Sequence, residues 1–141
     1  MLQRGNKDQP MSRTALIVED EIFVALDLER ILMDAGYTVA AIAPDSETAL
    51  AAAPGCDFAL VDVNLRDGPT GPSIAARLAQ DFGVKVVFVT ANPAQIGDIE
   101  CALGYVRKPF SESAIVAAAR LAETGEAAGD VVIPIARSVR S

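Results

Sequence analysis

Six polar side chains of this sequence, among them three carboxylates, an ammonium and a hydroxyl, each stand just past a short apolar run. Glu19 and Asp20 follow Ala15–Val18, Asp62 and Asn64 follow Phe58–Val61, Thr90 follows Lys85–Val89, and Lys108 follows Tyr105–Val106. Carboxylates are hard oxygen donors for a divalent cation, and an ionised one can attack phosphorus to give an acyl phosphate. An ammonium contributes fixed positive charge, and a hydroxyl contributes a hydrogen-bond donor. Read singly, each has a plainer account. Asp20 or Glu21 can cap a helix, Thr90 can be an ordinary strand-end hydroxyl, and Lys108 can be a surface lysine. Lys108 precedes Pro109, however, and a residue before proline is held extended and so aimed. Whether the six meet depends on the elements that carry them.

Those elements alternate. Ala15–Val18, Thr38–Ala43, Phe58–Val61, Lys85–Val89 and Tyr105–Val106 are short, largely apolar runs, as expected of strands buried on both faces. Between them lie helical patterns. Val24, Leu28, Ile31, Leu32 and Ala35 share one face ahead of Gly36, and Asp45 opens an Ala-rich helix towards Ala53. Ser73–Asp81 forms a third, and Ser111 caps a last helix that runs to Glu123. After the fourth strand Pro93 and Gly97 interrupt the pattern, so the helix there is expected to be short or distorted.

Alternating strands and helices predict an α/β fold with a parallel sheet covered on both faces. Right-handed crossovers then favour a flavodoxin-like, doubly wound, five-stranded sheet in the order 2-1-3-4-5. In that order the ends of strands 1, 3, 4 and 5 are neighbours, and the six side chains converge on the edge where such sheets bind ligands. Glu19, Asp20 and Asp62 crowded there cannot all stay ionised unless a cation intervenes or one takes a proton. Mg2+ is the simplest remedy, and with Lys108 and Thr90 it completes a phosphoryl-handling set.

Composition removes several rivals. The chain of 141 residues has no histidine, which excludes Ser-His-Asp and Cys-His catalysis, His-ligated zinc and a phosphohistidine of its own. Two separated cysteines, Cys56 and Cys101, cannot form a four-cysteine metal site and suit a reducing cytoplasm. Nineteen acids against 12 bases give a formal charge of −7, the wrong balance for binding nucleic acid or anionic lipid. No apolar run is long enough to span a bilayer, and a cytoplasmic location is expected.

LIVEDE, LVDVNL, VFVTA and YVRKPF resemble, in the right order, the motifs of response-regulator receiver domains over residues 14–124. The resemblance, to single-domain CheY-like regulators of two-component signalling, implies that Asp62 is the phosphoacceptor. It implies that Glu19 and Asp20 hold Mg2+ with Asp62, and that the backbone carbonyl of Asn64 is a further ligand. Thr90 becomes the switch hydroxyl, Lys108 the partner of the phosphoryl group, and Tyr105 the aromatic switch position; packing of Tyr105 on the last helix is the plainer alternative. Asn64 and Asn92 fall where the family tunes dephosphorylation. The implied partners are a sensor histidine kinase or histidine phosphotransfer protein and a downstream protein target, with a monomer or weak homodimer as the oligomeric state.

Two intervals depart from the family pattern. Thr90 to Tyr105 is about four residues short, and the loop after Asp62 is about one residue long. The first puts the usual output surface in doubt; both are also consistent with neutral loop variation. Residues 1–13 read as a flexible polar tail and 125–141 as an extension too short for an output domain, so signalling is expected to work by protein–protein contact. Within that extension Val131–Ile135 is either folded back on its own domain or a docking element. A phosphate sink or shuttle for a shared kinase needs the same site. A Mg2+-dependent aspartyl phosphatase is disfavoured, because position 64 is Asn and offers no acid–base partner. A phosphate-independent binding module is disfavoured too, since every key residue is present. The chain is thus expected to be a phosphoacceptor and not a turnover enzyme.

Overall fold

The computed structural model describes residues 13–97 and 100–125. Five strands form one all-parallel sheet: β1 (Thr14–Val18), β2 (Thr38–Ala43), β3 (Phe58–Val61), β4 (Lys85–Thr90) and β5 (Ala102–Arg107). Their order is β2-β1-β3-β4-β5, as the alternation of apolar runs predicts. Four α-helices cover the faces: α1 (Ile22–Asp34), α2 (Ser46–Ala52), α3 (Gly71–Phe82) and α4 (Glu112–Thr124). The N-terminal and C-terminal extensions proposed from sequence lie almost wholly outside the described residues.

Two apolar layers follow from the period-two alternation of the strands. Ile17, Phe58, Leu60, Val87 and Val89 face α1 and α4, where Leu28, Ile31, Leu32 and Ile115 meet them. Leu16, Val18, Val61, Val86 and Phe88 face the other way, towards Ala49 of α2 and Ile74 and Leu78 of α3. Asp45 caps α2 by accepting from Thr48 N, and Ser111 caps α4 by accepting from Ala114 N, as their side-chain chemistry favours. Gly83, in the left-handed region with φ 69°, ends α3 and turns the chain into β4.

Between β4 and β5 the described residues form no α-helix. A single 3-10 turn, Pro93–Gln95, stands where a short or distorted helix was expected, and Ile96 behind it is buried in the second layer. β5 is longer than its sequence pattern shows. Gly104 breaks the apolar run, and Leu103 is an extra residue between the Val86–Ala102 and Val87–Gly104 pairings, so the alternation is out of step there. Among the described residues no helix is long and apolar enough to cross a membrane.

Tyr37 ties α4 to the sheet. Its ring packs edge-on against Phe58 at 5.4 Å, Arg13 lies over it at 5.3 Å, and its hydroxyl donates to Glu123 Oε1 at 2.7 Å. Burial, then the bond to Glu123, pushes the phenol up to about 12. Tyr37→Phe is therefore expected to cost about 1 kcal/mol in urea unfolding at neutral pH, the net value of one such bond. A raised folded pKa gives stability that is complete below the unfolded value and lost as pH rises through the folded one. The difference between the two proteins should accordingly narrow from pH 10 towards pH 12.

Candidate functional site

The ladders of the sheet continue for one residue past the strands, and that extension builds the site. Asp62 N donates to Val18 O at 2.9 Å, setting Asp62 beside Glu19 across the β1–β3 pair. Lys108 N donates to Thr90 O at 3.0 Å, so Lys108 leaves β5 level with the end of β4. The Lys108–Pro109 peptide is cis. Parallel strands in register thus bring Glu19, Asp62, Thr90 and Lys108, far apart in sequence, to one edge.

Lys108 Nζ bridges the two acids, donating to Glu19 Oε1 and Asp62 Oδ2 at 2.9 Å each. Glu19 is 2% exposed and Asp62 8% exposed, whereas Asp20 is exposed. Burial raises the Glu19 carboxyl above the usual range, against the opposing pull of Lys108. Burial also works to lower the Lys108 ammonium, but its bonds to Glu19 and Asp62 prevail and hold it above its ordinary value. Carboxylate oxygens of Glu19, Asp20 and Asp62 all lie within 4.8 Å of one another. Three hard donors, two of them anchored and one open to solvent, fit Mg2+ with several waters retained. The other Asp62 oxygen, Oδ1, accepts from Val63 N at 2.7 Å, and Glu19 Oε2 accepts from Glu21 N at 3.1 Å. Both acids are therefore fixed in orientation.

A cleft of about 330 Å3 opens over these groups, with Asp20, Asn64, Ala91, Asn92 and Lys108 in its wall and Asp62 at its base. Thr90 is fully buried, and its hydroxyl oxygen accepts from Asn92 N at 3.0 Å. The Asn64 side chain, in the cleft wall, donates through Nδ2 to Gln95 Oε1 at 2.9 Å. Tyr105 pairs with Phe88 and packs, half-buried, in the layer of Ile96 and Ala102. This is the face opposite α4, so packing on the last helix, the plainer account given from sequence, does not hold. The half-pleat offset at Leu103 is the reason.

Gly71 is a site residue that sequence reasoning missed. At the first turn of α3 its N–H donates to Val63 O at 2.9 Å, and a Cβ here would meet Val63 Cα at 2.6 Å and the Asp62 carbonyl carbon at 2.9 Å. Only a bare α-carbon lets α3 approach the chain that carries Asp62. The loop between them is fastened to the start of α2. Arg66 pairs with Asp45, Arg66 N donates to Pro44 O at 3.1 Å, and Asp67 accepts from Ser46 N at 3.1 Å and from the Thr70 hydroxyl at 2.6 Å.

Comparison with known proteins fits this geometry. Residues 15–120 match the response regulator receiver domain family. The chain is 32% identical over 114 residues to the phyllosphere-induced regulator PhyR of Methylorubrum extorquens, an alignment covering 76% of this chain and 42% of PhyR. It is also 32% identical over 120 residues to the transcriptional regulatory protein PdtaR of Mycobacterium tuberculosis, covering 82% of this chain and 58% of that protein. The chain thus spans about half the length of the curated relatives it matches. Among solved structures, the signal receiver domain of a modulated diguanylate cyclase from Desulfovibrio desulfuricans G20 superposes with a TM-score of 0.71 at 28% identity, covering 79% of this chain and 94% of that one. Sheet order, acidic edge and sequence match agree, and the chain belongs to the response regulator receiver domain family.

Proposed function

We propose that Asp62 accepts a phosphoryl group from a histidine of a sensor kinase or phosphotransfer protein, and that the chain signals by protein–protein contact. The observation that carries this reading is the bridge from Lys108 to Glu19 and Asp62 at the base of an open cleft. A carboxylate oxygen of Asp62 attacks phosphorus in line; the bond to the donor nitrogen breaks, and its electron pair returns to the imidazole. Lys108, already within hydrogen-bond reach of Asp62, screens the charge that develops on the phosphoryl oxygens. Glu19, Asp20, Asp62 and the Asn64 backbone carbonyl would hold Mg2+, which when bound neutralises those same oxygens. The Thr90 hydroxyl keeps its proton free to donate while its oxygen accepts from Asn92 N. Drawn towards the phosphoryl group, it would carry the β4 end and the neighbouring Tyr105 with it. The acidic chain would act in the cytoplasm without nucleic acid or membrane, as a monomer or weak homodimer.

Intact-mass labelling with acetyl phosphate and Mg2+ tests the site. The wild type is expected to gain one phosphoryl group and Asp62→Asn none. Labelling of Asp62→Asn at the wild-type rate, or no labelling of either protein, would overturn the assignment. A phosphate sink remains a second reading because it uses the same residues; loss of a downstream partner in Asp62→Asn separates the switch from it.

A further inference from the structure

Asn64, two residues past Asp62 and in the wall of the cleft, donates a side-chain hydrogen bond to Gln95 of the Pro93–Gln95 turn. That turn is a firm anchor. Gln95 N donates to Asn92 O at 3.0 Å, Ile96 N donates to Pro93 O at 3.1 Å, and Ile96 is buried in the apolar layer behind it. Asn64 itself is exposed, and the bond to Gln95 holds its carboxamide. We infer that Gln95 is a positioning residue that sets the lifetime of the phosphoryl group on Asp62.

The inference rests on Asp62 being the phosphoacceptor. Loss of the group is hydrolysis: a water oxygen bonds to phosphorus, the bond from phosphorus to the Asp62 oxygen breaks, and the carboxylate departs with the electron pair. The water proton passes to phosphate and solvent. An incoming water must enter through the cleft, past Asn64 and Asn92. With Nδ2 committed to Gln95, the Asn64 carboxamide is fixed in the cleft wall and has one fewer N–H to orient an attacking water. Freed from Gln95, it can swing aside or hold the water itself. Gln95 acts through Asn64 alone, since it does not line the cleft with Asp62.

The experiment follows decay of the labelled wild type, Gln95→Ala, Gln95→Glu, Asn64→Ala and the double variant Asn64→Ala/Gln95→Ala by intact mass after removal of acetyl phosphate. Gln95→Ala is expected to shorten the lifetime about three- to tenfold, the scale of one hydrogen bond. Gln95→Glu retains an acceptor oxygen for Asn64 Nδ2 and should return the lifetime towards the wild type. In the Asn64→Ala background, Gln95→Ala should change nothing further, because the partner is gone. An unchanged lifetime in Gln95→Ala, or the same shift in both backgrounds, would overturn the inference while leaving the phosphoacceptor reading intact. Failure of the wild type to label at all would overturn both.

Discussion

Gly71→Ala is expected to cost about 3 kcal/mol or more in urea unfolding, the range of severe overpacking, and to suppress labelling at Asp62. The added methyl has nowhere to go. It would press on the Asp62 carbonyl and on Val63 Cα, and these are main-chain atoms that cannot rotate away as a side chain can. The Gly71 N–H bond to Val63 O holds the two segments at that spacing. Relief therefore requires α3 to slide or the end of β3 to move. Either motion shifts Asp62 from Lys108 and Glu19, which are positioned independently by β5 and β1. Backbone dihedrals are not at issue, since Gly71 is not among the glycines with positive φ. A variant as stable as the wild type that labels at the same rate would refute this account.

Lys108→Ala should be nearly as damaging, by another route. Removing the ammonium leaves Glu19, 2% exposed, and Asp62, 8% exposed, as neighbouring carboxylates without their shared partner. Breaking a buried ion pair costs about 3–5 kcal/mol, and the residual exposure of Lys108 and Asp62 places this case at about 2–3 kcal/mol. The labelling rate should fall about 100- to 1,000-fold, as when a preorganised donor to a transition state is lost. pH gives a signature. Burial already raises Glu19, and a raised acid confers stability below its unfolded pKa that is lost as pH climbs through the folded value. Without Lys108 the folded value rises further, so the deficit should be smaller at pH 5 than at pH 8. Urea unfolding at both pH values, with and without Mg2+, checks this; a deficit independent of pH and of the ion would count against the electrostatic cause.

The sheet was legible because burial on both faces leaves a plain mark. Thr38–Ala43 and Phe58–Val61 are strands with the limits their apolar runs suggest, and β-crossovers of one hand then fix the order. Once the order is known, the positions after each run must share an edge, which is why Glu19, Asp62 and Lys108 could be grouped in advance. Their hydrogen-bonded bridge is a finding of the structure. What stayed hidden depends on contacts between segments with no pattern of their own. No sequence pattern singles out Gly71, whose closeness to Asp62 is set by how α3 packs. The Asn64–Gln95 bond joins two exposed polar residues, a type of pair that periodicity never marks. β5 was underestimated because Gly104 and the bulge at Leu103 interrupt its apolar alternation.

That the described residues between β4 and β5 form no α-helix also bears on how evenly the protein resists opening. Among the described residues β1 and β3 are paired on both sides, whereas β5, like β2, is paired on one side only. On the face of α2 and α3, the segment leading into β5 contributes little beyond Ile96, with Cys101 half-buried beside it. Detaching β5 and that segment exposes far less apolar surface than detaching an inner strand, so amide hydrogens there should exchange through a sub-global opening while those of β1 and β3 await global unfolding. Lys108 and Tyr105 ride on this less-protected edge unit. The cation that neutralises the acidic edge thus sits on a part of the sheet that opens before its centre, and one excited state of the fold is that in which the cation is withdrawn.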